Sequence, residues 1–203
     1  MQRGIFLAIA LCCTHGAAIG AEVEGAEVAT AAVASAEISL DGGSKYTSAG
    51  AFIPAVTDAR DAAAVFAIGG AMQLNAMTDH CSKVGPLEAV KANEARNRWL
   101  RHNGPMVQAA NGYVRLQQAI VQVKQGQAAG TQYRDAVMAD AKAGAVATLR
   151  GWFPHEVRDA ATCDRVVGEY LSGSRDIAAD ATFGTTLGGL AGDMQVFNDA
   201  KQQ

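Results

Sequence analysis

The pair Cys81 and Cys163 restricts the fold of this chain more than any other feature of its sequence. Both fall on the apolar stripe of a helical segment, and they are separated by just over eighty residues. The chain has 4 cysteines, but Cys12 and Cys13 lie in a segment with the layout of a cleaved signal. In MQRGIFLAIALCCTHGAAIGA, Arg3 supplies a short positive region and Gly4 to Cys13 an apolar run. Ala18 and Gly20 place small residues at −3 and −1 of a cut before Ala21. A buried N-terminal helix is the competing reading, and it leaves the small-residue spacing unexplained. A lipidation site would want a small residue before the cysteine, and Leu11 precedes Cys12.

The apolar run is shorter than the roughly 20 residues that span a bilayer. No other stretch is long and apolar enough to cross one. The expectation is therefore a signal over 1–21 and a mature bacterial protein, periplasmic or secreted, with no transmembrane segment. In an oxidising compartment two cysteines pair more often than they bind metal or react as thiols. There is no CxxC, so a redox site has no motif. A bridge closing such a loop is worth about 4.5 kcal/mol in the chain-entropy model.

The pattern between the prolines is helical. Thr57 or Asp58 can cap a helix running to about Cys81, with Phe66, Gly70, Leu74, Met77 and Cys81 inward. Pro86 suits the first turn of a second helix. From there one register runs unbroken through Ala92, Ala95, Trp99, His102, Met106, Ala109, Tyr113, Leu116, Ile120 and Val123. It passes straight through Asn103-Gly104-Pro105. Proline would clash with the carbonyl of Arg101, so the helix either kinks or splits there, and the unbroken register favours the kink.

Gln125 to Gly130 reads as a loop. A third helix is expected from Thr131 to about Arg150, and a fourth from Pro154 to about Ser172 with Cys163 inward. A short helix over Arg175–Ala181 follows. Cys81 then lies late in the first helix and Cys163 early in the fourth. In an up-down bundle those regions are neighbours, so the disulfide and the architecture support each other. The expected fold is all-α: an up-down bundle of about four helices over 58–182. A flexible low-complexity arm over 22–57 precedes it and a Gly-rich tail over 183–203 follows. The tail lacks a convincing period, and packing through Leu187, Leu190 and Phe197 is its one route onto the bundle.

Few residues point to chemistry. The sequence holds no HExxH, CxxCH, EF-hand loop, P-loop or GxSxG, so no cofactor, no metal and no catalytic residue is assigned. Asp79, His80 and Cys81 are adjacent, but neighbours on a helix point about 100° apart and do not converge on one ion. His102 is the candidate ligand or polar core residue, with Trp99 and Tyr113 on the same seam. A simpler account makes His102 a core histidine bonded to a carbonyl freed by Pro105. His155 is expected at the surface. Arg96, Arg98 and Arg101 offer an anion site, but Glu94 and Arg98 at i,i+4 form a common surface ion pair. A formal charge of −3 argues against nucleic acid as a partner.

The layout resembles small exported bacterial proteins built from helices. These carry one cysteine late in the first helix, a Trp about a turn before an Asn in the second, and a second cysteine in the last. The corresponding residues here are Cys81, Trp99, Asn103 and Cys163. The likeness covers little more than a hundred residues and implies no activity. The leading expectation is thus a non-enzymatic exported bundle that binds a protein or envelope partner. An enzyme or secreted toxin using carboxylates or His102, and a bundle holding a small ligand, are the alternatives.

Overall fold

The computed structural model describes residues 45–46, 52–154 and 159–200. The signal segment, most of the arm, His155 and the last three residues lie outside them. The described part is all-α apart from one two-residue hairpin. Strand β1 (Lys45–Tyr46) pairs antiparallel with β2 (Phe52–Ile53), Lys45 opposite Ile53. Five helices follow: α1 (Asp58–Ser82), α2 (Pro86–Gln125), α3 (Gln127–Trp152), α4 (Ala160–Ser172) and α5 (Gly184–Ala200). A 3-10 turn, Ile177–Ala179, lies between α4 and α5. The central helix is α2, which touches all four others.

The local chemistry explains the boundaries. Thr57 caps α1, its hydroxyl accepting from the Arg60 N–H at 3.2 Å. Pro86 opens α2, where a missing N–H costs nothing. The expected loop over 125–130 is a single residue, Gly126, with φ of 93°. Its left-handed backbone lets α3 begin at once. The fourth helix starts at Ala160 rather than Pro154. Asp159 fixes that start by accepting from the N–H groups of Ala161 and Thr162 at 3.3 and 2.8 Å.

Helix α2 is continuous through Pro105 and does not split. Much of the seam is buried as expected, including Ala92, Ala95, Trp99, Ala109, Tyr113, Leu116 and Ile120. Three of its members are not, Met106 being half-buried. His102 and Val123 face solvent, and Asn103 takes the inward place below Trp99. A step of four from Trp99 keeps to one face of a helix with 3.6 residues per turn, while a strict heptad drifts by about 20° per repeat.

The core also extends past both expected ends of the bundle. Phe52, Ile53 and Ala55 are buried, although they fall in the segment read as an arm. The Gly-rich tail forms α5, which buries Leu187, Leu190, Met194 and Phe197. Its glycines hid a period of three and four. Arg60 ties this region together, donating to the Ala55 carbonyl at 3.1 Å and pairing with Asp193 on α5. The sulfurs of Cys81 and Cys163 are bonded, with Cα atoms 5.6 Å apart.

Candidate functional site

Two polar clusters are built onto opposite stretches of α2, and they do different things. The first surrounds Trp99 and Asn103. The Trp99 indole N–H donates to the Arg175 carbonyl at 2.8 Å. The Asn103 amide donates to Asp176 at 3.0 Å, and its oxygen accepts from the Ile177 N–H at 2.6 Å. Arg98 donates to both oxygens of Asp176 and to the Tyr170 carbonyl at 2.9 Å. The surface pair expected between Glu94 and Arg98 is therefore replaced by a bond across the bundle. Partial burial works to raise the Asp176 carboxyl. The bonds from Arg98 and Asn103, with the charges of Arg98 and His102, outweigh it and hold the group below its ordinary range. Arg98, Trp99 and Asn103 thus all bond the turn after α4, at Arg175, Asp176 or Ile177. This cluster is a clasp, and it gives Trp99 a structural role.

The second cluster surrounds Tyr113. Its hydroxyl donates to Asp61 Oδ1 at 2.9 Å, and the Tyr133 hydroxyl donates to the same oxygen at 3.3 Å. Asp61 lies in the first turn of α1, Tyr113 on α2 and Tyr133 on α3, so three helices converge on one carboxylate. Burial raises the Asp61 carboxyl above its ordinary range. The two tyrosine bonds oppose this, and the nearby charge of Asp58 adds to it. Burial and the Asp61 charge push both hydroxyls above the usual tyrosine value, so each stays protonated and able to donate.

Asp61 also lines an open recess of about 570 Å³. The recess lies between α1 and α3 and is closed at one side by Phe183. Its walls are Ala62, Val65 and Phe66 of α1 with Ala136 and Val137 of α3, and Asp140 stands among them. Phe66 stacks on Phe183 with ring centres 4.8 Å apart, which fixes that wall. Among the described residues no lysine or arginine lines it.

The residues singled out from sequence thus divide. Tyr113 enters the second cluster and Trp99 the first, while His102 stands outside both as an exposed side chain. His80 stacks on Phe153 with ring centres 4.0 Å apart. Among the described residues no group of histidines, cysteines and carboxylates is arranged to hold a metal ion. Asp61 and Tyr133 were not legible as site residues. An aspartate in a first helical turn is ordinary, since it answers the helix dipole. Comparison of the chain with family models, curated proteins and solved structures gave no match.

Proposed function

We propose that this is an exported, non-enzymatic binding module that engages a protein partner of the cell envelope through the Asp61 recess. One observation carries the reading: a carboxylate shared by three helices and half withdrawn from water at the wall of an open apolar recess. A side chain serving only the core would not need a charge there, because desolvating it costs stability. An open apolar concavity with a few fixed polar groups is the usual form of a recognition site. Export is supported by the signal-like layout of residues 1–21 and by the bond between Cys81 and Cys163, which suits an oxidising compartment.

A photoreactive side chain at Ala136, which lines the recess, tests the reading in the native host. The control position is Ala147, an exposed site on the same helix away from the recess. The proposal expects a discrete protein adduct from position 136, none from 147, and loss of the adduct in Asp61→Asn. Equal labelling from both positions, or none from 136, would overturn it. Terminal sequencing of the mature protein tests export, with a start at Ala21 or Glu22, where the signal segment meets the arm, expected.

A further inference from the structure

The recess carries charge as well as shape. Both tyrosine hydroxyls donate to the same Asp61 oxygen, Oδ1. The other oxygen, Oδ2, accepts no hydrogen bond among the described residues. A carboxylate can accept about four hydrogen bonds, so half of its capacity is unspent. Asp140 adds a second negative group to the same lining, which includes no basic side chain among the described residues. The nearest arginine in sequence, Arg60, is already committed to Asp193 and the Ala55 carbonyl. The remaining walls are hydrocarbon: Val65, Phe66, Val137 and Phe183.

We infer, resting on the docking role of this recess, that its occupant is a long aliphatic cation: a lysine or arginine side chain of the partner protein. The apolar stem lies against Val65, Phe66, Val137 and Phe183, and the charged head donates to Asp61 Oδ2. Such side chains routinely divide themselves this way, burying the stem while the head finds a charge or water. A neutral apolar side chain would fill the same walls but strip Asp61 of water without replacing it. An acidic one would meet Asp61 and Asp140 with like charge. In a partly dehydrated site, a charge-assisted bond to a positioned carboxylate is stronger than its equivalent in water. The two tyrosine bonds to Oδ1 fix the carboxylate and leave Oδ2 as the oxygen with unspent capacity.

The test uses three probes of one shape and different charge: hexylammonium, hexanol and hexanoate. Binding to the isotope-labelled full chain is followed by the amide resonances of Val65, Phe66, Val137 and Phe183. The inference expects hexylammonium to shift these resonances with about tenfold higher affinity than hexanol, and hexanoate to leave them unmoved. Asp61→Asn should erase the preference for hexylammonium. Asp140→Asn, at an exposed position, should reduce it and provides a second variant whose fold is not in question. Hexanol binding as tightly as hexylammonium, or hexanoate binding at all, would overturn the cationic occupant while leaving the recess as the docking place. Absence of cross-linking at 136 would instead remove the docking role itself. The source of the cation is tested on the adduct. Its loss when lysines and arginines beside the cross-linked residue become glutamine supports a partner side chain. Its survival, with hexylammonium still binding, would overturn the partner's side chain as the source of the cation.

Discussion

Arg98 meets both carboxylate oxygens of Asp176, at 3.0 and 3.1 Å, from a position 78 residues earlier in the chain. The bond is mostly shielded, with about a fifth of either side chain exposed. Asp176→Ala would remove the carboxylate that Arg98 and Asn103 share, leaving Arg98 the Tyr170 carbonyl and Asn103 the Trp99 carbonyl. The expected loss is about 2–3 kcal/mol, read from urea unfolding, because removing one member of a shielded pair costs more than the pair contributes.

The same pair sets a dependence on acid. Asp176 titrates below its unfolded value in the native state, so its contribution is present above the ordinary carboxylate range. It is lost as pH falls through the lowered native value. Melting curves between about pH 5 and pH 2 should therefore fall more steeply in the parent protein than in Asp176→Asn.

Reduction of the bond between Cys81 and Cys163 frees a loop of 82 residues in the unfolded chain. The expected cost is about 4.5 kcal/mol, and Cys81→Ser with Cys163→Ser should reproduce it. Unfolding with and without reductant measures the difference. The slope with denaturant should change as well, since the unfolded ensemble becomes less compact.

Gly130 sits at a close approach of α2 and α3. A Cβ there would lie 2.2 Å from Gln122 Cγ and 2.8 Å from the Gln118 carbonyl oxygen. Rotation of Gln122 relieves the first clash but not the second, which involves backbone. Gly130→Ala should cost about 1–3 kcal/mol despite the better helix propensity of alanine. Equal stability in thermal unfolding would show that the hairpin can open at no cost.

Asp61 behaves in the opposite sense to Asp176. Its native carboxyl titrates above the ordinary range, so the native state gives up stability as pH rises through that raised value. Asparagine keeps an oxygen to accept from Tyr113 and Tyr133 and removes the charge. Asp61→Asn should therefore melt at the same temperature or higher at pH 7 while losing the recess's preference for a cation. A residue kept at a cost to the fold is the expected signature of a binding site.

How far the sequence leads depends on the range of the interaction. Local signals were sufficient for α1 and the start of α2, because Thr57 and Pro86 act on their own backbone. The long-range pairing of Cys81 with Cys163 was legible because a covalent bond needs only one kind of residue at each end. The clasp was not, since Arg98 and Asp176 are common residues whose meeting depends on the path of the chain after α4. Helix α5 was obscured because Gly188, Gly189 and Gly192 occupy much of the solvent side of its first half, so Leu187 and Leu190 stand with little polar contrast. His102 was placed inward by a strict heptad, and a single step of four in place of three gave its position to Asn103. Asp61 illustrates the wider limit: its neighbours Tyr113 and Tyr133 lie 52 and 72 residues away.

The most direct measurement is the titration of the Asp61 carboxyl carbon by NMR, with and without hexylammonium. The account predicts a midpoint above that of an ordinary aspartate in the free protein, moving down when the cation binds. A midpoint already at or below the ordinary value, or one that the ammonium leaves in place while hexanol moves the same resonance equally, would contradict it.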